Sequence, residues 1–308
     1  MQKIILPILE KESGKKAGKD FGLISNPEFL QESTAIKDTK YPHVVVLGGK
    51  ENKFMNIAKR VFEGIHPNTP IMITNHQTAE MIKYANNSFL ATKISFINQL
   101  SNICQNIPGA NIDDIAKTIG LDPRIGKLFL NAGPGYGGSC LPKDMKALIN
   151  YADGIGINPT FLNAVEKTNA NQLKNIILLI EKSLVNIKNK KITILGTAFK
   201  PNTDDIRDSI AIELIKKLLK KKARITIHDP KAMKNTKRIF EDKISYAKTI
   251  EDALSKSHCI IIMTQWKQYE KLNNNEFKYM TRKFVIDCRR MLVGKQLDID
   301  YYAIGLGK

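Results

Sequence analysis

Residues Gly133 to Asp144 read GPGYGGSCLPKD, a run of four glycines that ends in one cysteine, Cys140, with Lys143 and Asp144 one turn further on. Glycine at 133, 135, 137 and 138 removes side chains, so a ligand can approach the backbone closely. Pro142 suits the first turn of a helix. A helix opening there puts the thiol near its amino end, where a thiolate is favoured. A catalytic nucleophile is one reading of the pattern; a glycine-rich turn holding an incidental cysteine is the other.

Three further stretches have residue types suited to serve such a thiol. In SNPEFLQESTAIKD, Asn26-Pro27 turns the chain after a predicted strand and leaves Glu28 beyond its carboxyl end, where ligands bind in parallel-sheet folds. Glu28 could equally be a first-turn carboxylate stabilised by a helix dipole. Lys83 and Asn87 are four residues apart in a helical pattern and share one face. An ammonium beside a carboxamide can hold an oxyanion, although Lys83 and Glu80 could form an ordinary surface pair. In LGTAFKPNTDDIRDS, Lys200 and Arg207 occupy a strand-to-helix turn suited to a phosphate-bearing ligand. The DCRR segment at Asp287–Arg290 adds cations at another strand end. The alternative for these is surface charge in loops.

The elements that must position these groups follow from periodicity. From 1 to 72, short apolar strands such as FGLIS (Phe21–Ser25) and HVVVLGG (His43–Gly49) alternate with a helix, NKFMNIAKRVFEGI. From 73 to 188 the pattern is mostly helical. One long helix is predicted from Thr78 to near Asn106 and a short one, closed by Gly120, from Ala110. A second long helix is predicted from near Pro159 through LKNIILLIEKSLVNI. From 189 to 308 strands and helices alternate: KITILG, then a helix capped by Asp208 or Ser209, RITIHDP, TIEDALSKS, CIIIMT and FVIDC. The fold class is α/β: a partial, Rossmann-like N-terminal remnant, a central helical region with the cysteine loop, and a C-terminal Rossmann-like parallel sheet. No GxGxxG follows a strand anywhere in the chain, so residues 1–72 read as the second half of a dinucleotide-binding domain without its opening half.

Composition narrows the functional classes. With 308 residues, 43% hydrophobic and 25% charged, the chain reads as a soluble globular protein of two or so domains. No apolar run approaches a membrane span. The N-terminus lacks a signal-peptide pattern, and the cytoplasm is the simplest location. The other cysteines, Cys104, Cys259 and Cys288, lie in apolar contexts; no CxxC occurs and the five histidines do not cluster, so no metal site is expected. The net charge of +18 follows lysines spread along helix faces, as in IKKLLKKKAR (Ile215–Arg224). No basic run is interleaved with aromatics, so neither nucleic acid nor a membrane is an expected partner.

Taken in order, NPEFLQE, AEMIKYANNSFLATKISFIN, DPRIG, GYGGSCLPKD, LGTAFKPNTDDIRDS, HDPKA, TQW and IDCRR make a sequence that resembles the UDP-glucose/GDP-mannose dehydrogenase family, from about Gly18 to the C-terminal YYAIGLG. The resemblance implies NAD-dependent oxidation of a sugar-nucleotide primary alcohol, UDP-glucose to UDP-glucuronate, by two hydride transfers through a thiohemiacetal and a thioester on Cys140. It gives Lys83 and Asn87 the oxyanion and gives Glu28 and Asp144 proton transfer and hydrolysis. It implies UDP-sugar contacts at Phe29, Leu30, Glu32, Phe129, Asn131, Gly135, Tyr136, Gly137, Phe199, Lys200 and Arg289, and a contact from Arg124 to a neighbouring subunit's site. Lys143 and Arg207 match cofactor-contacting positions. A homodimer through the central helices is implied. The resemblance also implies that the NAD-binding half is missing, so that the chain is a fragment, is completed by a separate polypeptide or is an inactive remnant; survival of Cys140, Lys83, Asn87, Glu28 and Asp144 favours the first two. Oxidation of GDP-mannose and a non-catalytic sugar-nucleotide-binding module are the alternatives. The sequence departs from the family pattern at Ser33 and Lys222, where glycine is usual, and at Gln265 of TQW. Ser33 is tolerable unless its backbone needs a positive φ.

Overall fold

The structure is a computed structural model that describes residues 1–50, 52–184 and 186–307. The chain divides into two compact units, Met1–Asn87 and Ser88–Lys308.

The first unit contains α1 (Ile5–Ser13), α2 (Ala35–Lys40), β1 (Val45–Gly48), α3 (Lys53–Ile65) and β2 (Ile71–Thr74), and it includes the start of α4 (His76–Cys104). Strands β1 and β2 pair in parallel from Val45↔Ile71 to Gly48↔Thr74, joined through α3 as a strand–helix–strand unit. The Asn52 side chain caps α3 by accepting from the Phe54 and Met55 amides. Met55, Ala58 and Phe62, at helical spacing, turn one face of α3 onto Val45, Leu47 and Ile71. The predicted strand FGLIS is not one. Only Ser25 pairs with β1, antiparallel to Gly48 through two hydrogen bonds of 2.7 and 2.8 Å. Asn26-Pro27 then stops the ladder, because proline has no N–H to give it.

The second unit continues through α5 (Ile112–Ile119), α6 (Leu141–Gly154) and α7 (Thr160–Ser183). It then alternates: β3 (Lys191–Leu195), α8 (Ile210–Lys220), β4 (Arg224–His228), α9 (Met233–Phe240), β5 (Ser245–Tyr246), α10 (Ile250–Leu254), β6 (Cys259–Ile262), α11 (Asn274–Phe277), β7 (Phe284–Asp287) and β8 (Asp300–Ala303). All six strands are parallel, in the order β5-β4-β3-β6-β7-β8. Residues alternate between faces. Ile192, Ile194, Ile225, Ile227, Ile261 and Ile286 pack with α7 and α8, while Leu195, Ile260, Ile262 and Val285 pack in a second cluster with Trp266 and Tyr269. Two buried faces explain why these strands read as continuous apolar runs.

Strand order reverses between β3 and β6. Ligands of such sheets bind beyond the carboxyl ends of the strands at this switch point. The loop from Gly196 to Ser209 leaves β3 there, and Met263–Trp266 leaves β6. Helix α7 ends at Ser183, short of the predicted Ile187, because Leu184 is already extended; Val185 lies outside the described residues. Ser209 is the N-cap of α8, but its hydroxyl donates to the Thr197 carbonyl at 2.7 Å instead of capping. Among the described residues no helix is long and apolar enough to cross a membrane.

Candidate active site

Cys140 is the N-cap residue of α6 and is exposed, whereas Cys104, Cys259 and Cys288 are buried. Burial pushes the Cys259 and Cys288 thiols well above the ordinary range. One thiol of four is therefore placed to react. It opens onto a cavity of about 500 Å³ lined by Ser139, Cys140, Lys143, Arg207 and Asp208. Ser139 Oγ lies 3.6 Å from Cys140 Sγ. The buried Asp144 carboxylate anchors the exposed Lys143 ammonium at 2.5 Å. Asp205 does the same for Arg207, accepting from Nε at 2.9 Å and Nη2 at 2.7 Å. Paired carboxylates thus fix two cations beside one thiol, an arrangement able to hold an anionic ligand against a nucleophile.

Mostly protein atoms, not open space, account for the glycines. A side chain on Gly133 would meet Arg289 Nη1 at 2.9 Å, and one on Gly135 would meet Asn169 Oδ1 at 2.6 Å. One on Gly137 would run into the Asp208 carbonyl, and one on Gly138 would reach the Phe199 ring at 2.7 Å. Gly135 and Gly138 also have φ of +119° and +82°, which glycine adopts without penalty. The Gly138 amide donates to the Arg207 carbonyl at 2.9 Å, locking the loop to the one that leaves β3.

A narrow crevice at the switch point is lined by Pro134, Gly135, Gly137, Phe199, Met263 and Arg289, among others. Arg289 is oriented by its Nε donating to the Met263 carbonyl at 2.8 Å. Burial pushes its guanidinium down to about 10, still cationic at neutral pH. Lys200 Nζ lies 5.6 Å from the Phe199 ring centroid. The Tyr136 side chain is committed to the interior: its hydroxyl donates to Glu166 Oε1 at 2.8 Å, and burial raises its phenol pKa. Phe129 is half-buried with a φ of +65°, and Asn131 is exposed. Arg124 is exposed and forked onto Asp122, and this contact holds that carboxyl below its usual range.

In the first unit, Lys83 Nζ donates to the Glu28 carbonyl at 2.5 Å and to its carboxylate at 3.0 Å, and lies 5.6 Å from the Phe29 ring centroid. Lys83 therefore pairs with Glu28, and Glu80 instead meets the Met1 amino group at 2.7 Å. Glu28 lies in irregular chain between Ser25 and α2, so no helix dipole acts on it. Asn87, one turn past Lys83, is buried and accepts from Asn86 Nδ2 at 3.3 Å. Glu32 is half-buried and Leu30 exposed. Ser33 has a φ of +73°, so the position does require the left-handed conformation.

Sequence reasoning passed over Ser139 and took Asp208 only as a possible helix cap, though both line the Cys140 cavity, and it gave no role to Asp229 of HDPKA. One Asp229 oxygen accepts from the Thr197 amide at 2.7 Å, the Ala198 amide at 3.1 Å and Trp266 Nε1 at 3.2 Å; the other accepts from the Lys231 and Ala232 amides. This buried carboxylate ties together both switch-point loops. An acid directly after a predicted strand, before proline, was the available signal.

Three stretches of the chain match the UDP-glucose/GDP-mannose dehydrogenase family: residues 1–66 its NAD binding domain, 77–171 its central domain and 193–294 its UDP binding domain. The chain belongs to this family. A UDP-glucose 6-dehydrogenase of Rickettsia felis is 39% identical over 298 residues, covering 94% of this chain and 66% of that protein. One from Haloferax volcanii is 39% identical over 304 residues, covering 98% and 70%. The structure of a UDP-glucose dehydrogenase from Pyrobaculum islandicum superposes with a TM-score of 0.89 at 32% identity, covering 97% of this chain and 66% of that one. The chain thus spans about two thirds of the length of these relatives. The match over 1–66 overturns the expectation that the NAD-binding half is missing and that the region is a truncated remnant. That expectation rested on one glycine fingerprint. The parallel unit β1–α3–β2 carries part of the domain's pattern without it, and a separate polypeptide supplying an NAD half loses its ground.

Proposed function

We propose that this chain oxidises the primary alcohol of a UDP-sugar, UDP-glucose to UDP-glucuronate, with NAD as oxidant and Cys140 as nucleophile. The observation that supports this most is the exposed Cys140 at the amino end of α6, sharing one cavity with Lys143 and Arg207, in a chain of this family. The donor set fits a dinucleotide: two anchored cations stand ready for phosphate oxygens beside the thiol. Each NAD, when bound, supplies the acceptor for one hydride, so two are used in turn.

Loss of a hydride and a proton from the alcohol leaves an aldehyde. The Cys140 sulfur forms a bond to the aldehyde carbon, and the oxygen takes a proton, giving a thiohemiacetal. A second loss of hydride and proton leaves a thioester. Water adds to that carbon, the carbon–sulfur bond breaks, and thiol and carboxylate are released. One alcohol, one water and two NAD⁺ give one carboxylate, two NADH and three protons. Lys83 and Asn87 stabilise the oxygen that becomes anionic; Glu28 and Asp144 move the protons. Phe199, Lys200 and Arg289 take the UDP at the switch point, where such sheets bind ligands. Phe29, Leu30, Glu32, Phe129, Asn131, Gly135, Tyr136 and Gly137 complete the sugar-nucleotide contacts, and Arg124 serves a neighbouring subunit.

With UDP-glucose and NAD, the purified chain is expected to form two NADH per UDP-glucuronate. Cys140→Ala should lower carboxylate formation by about 10³-fold or more. No NADH from any UDP-sugar, or full carboxylate yield from Cys140→Ala, would refute the proposal. Calorimetric binding of UDP-glucose without turnover would instead mark a binding module, and preference for GDP-mannose would move the substrate.

The reading extends to a cytoplasmic homodimer built on the central region, with organisational segments at 1–72, 73–188 and 189–308. Phe89, Phe96 and Ile103 are 64%, 52% and 51% exposed at seven-residue spacing along α4, a stripe suited to a partner helix. Sedimentation is expected to give a dimer mass that Phe96→Asp halves; a monomer at micromolar concentration before substitution rules the interface out.

A further inference from the structure

The loop that leads to Cys140 is held by side-chain amides from two helices. Asn98 of α4, fully buried, accepts the Gly133 N–H through Oδ1 at 2.7 Å. Gln172 of α7, also buried, donates Nε2–H to the Gly133 carbonyl at 3.0 Å. Its oxygen accepts from Asn102 Nδ2 at 2.8 Å and Asn175 Nδ2 at 3.3 Å. Asn169, one turn earlier on α7, accepts the Tyr136 N–H at 2.8 Å and donates Nδ2–H to the Tyr136 carbonyl at 3.1 Å. Both backbone groups of Gly133 and both of Tyr136 are thereby satisfied, as a neighbouring strand would satisfy them. Glu166, Asn169 and Gln172 recur every third residue, so one face of α7 serves the loop.

We infer that Asn98, Asn169 and Gln172 are positioning residues for Cys140 and set the rate of the thiol steps; this rests on the proposed function. Three residues separate Tyr136 from Cys140, and one of them, Gly138, is fixed on its far side by the Arg207 carbonyl. Movement at Tyr136 therefore reaches the thiol with little slack. Amides suit the task where carboxylates do not, because Asn169 and Gln172 each donate and accept at once. A misplacement of about 1 Å at a reacting group can cost about 10²-fold in rate. The proposed UDP contacts outside this loop, at Phe199, Lys200 and Arg289, are untouched, so the larger part of the loss belongs in kcat.

The test uses Asn169→Asp, which keeps size and acceptor but loses the donor, Asn169→Leu, which loses both, and Gln172→Glu. Lys167→Ala, exposed on the same helix, is the control. For the Asn169 variants, kcat should fall about 10²-fold while KM for UDP-glucose stays within about threefold. Hydrogen exchange over residues 133–140 should accelerate by about tenfold or more, with β3 and β6 unchanged. Iodoacetamide reads Cys140 selectively, since the other three cysteines are buried. Cys140 is already exposed, so loosening adds no access but frees the orientation in which the thiol is presented; the alkylation rate should change by about twofold or more. Where Gln172→Glu fails to fold, the half-buried Asn169 carries the test. A kcat within about threefold of the unsubstituted chain for both Asn169 variants overturns the inference, as does a rise in KM that accounts for the whole loss. If the unsubstituted chain turns over no UDP-sugar, the proposed function fails by itself; unchanged exchange at 133–140 and unchanged alkylation would then overturn the positioning claim separately.

Discussion

The two parallel sheets of this chain are built to different depths. Strand β2 of the first unit is only partly covered, with Met72 and Ile73 exposed, and Val45, Leu47 and Met55 are its buried core. In the six-stranded sheet, β6 and β7 are buried at every residue and two large clusters cover the two faces. The groups proposed for chemistry differ in the same way. Glu28, on an irregular stretch, is held by a single helix residue, Lys83, whereas Cys140, Lys143 and Arg207 are fixed through glycine contacts, carboxylates and the switch-point loops. Preorganisation comes from backbone that has no room to move, and the second unit has more of it.

Acid offers the larger test of this contrast. Burial holds His228 and His258 of the second unit, and His76 of the first, below the ordinary histidine value of 6.5. The unfolded chain binds a proton at each as pH falls through 6.5, and the folded chain does not until its own lower value is reached. Their contribution is therefore whole above about pH 6.5 and is lost below it, at up to about 1.4 kcal/mol per pH unit for the well-enclosed His228 and less for His76 and His258, which solvent screens more. Asp287, raised by burial, acts in the opposite sense, so a difference between variants isolates the histidine. The single tryptophan, Trp266, is buried in the second unit and reports that unit alone. Its urea midpoint should fall between pH 7.5 and 5.5, and His228→Asn should flatten that fall. His76→Asn should leave the Trp266 transition unmoved and change only the part of the circular dichroism that Trp266 does not follow. An identical Trp266 midpoint at both pH values would remove burial of His228 as a contributor.

Much of the second unit was legible because its strands are apolar runs bounded by turn residues, and the parallel pairing follows from their alternation with helices; the strand order, and with it the switch point, came from the structure. The cysteine loop was legible as a chemical oddity, but the reason for its glycines was not, since Asn169, Phe199 and Asp208 approach it from far along the chain. The same holds for Lys83, whose partner by spacing was Glu80 and whose partner in space is Glu28. Asp229 and the amides at 98, 169 and 172 stayed hidden because hydrogen bonds to backbone leave no periodic trace. The first unit was misjudged for a different reason: a missing phosphate fingerprint was allowed to outweigh a strand–helix–strand pattern that was present.

Two residues standing where the family pattern has glycine give the smallest effect and the finest comparison, one in each unit. Lys222 follows α8 with a φ of +60°. Its amide donates to the Leu219 carbonyl at 2.9 Å, and the next amide, Ala223, donates to Leu218 at 3.1 Å, closing a Schellman motif whose apolar contact is Ala223 on Leu218. The left-handed residue of that motif favours glycine, and a lysine there bears about 1 kcal/mol of backbone strain. Lys222→Gly removes the strain and gives back part of it through the looser unfolded chain, for a net gain of about 0.5 kcal/mol. Ser33, at a φ of +73° in the first unit, should gain similarly on Ser33→Gly. Only the first of these should raise the Trp266 midpoint; the second should raise protection of the β1 and β2 amides. If Lys222→Gly lowers the Trp266 midpoint, the lysine stem contributes more by covering the end of α8 than its backbone loses, and the left-handed cost has been overvalued in the better-packed unit.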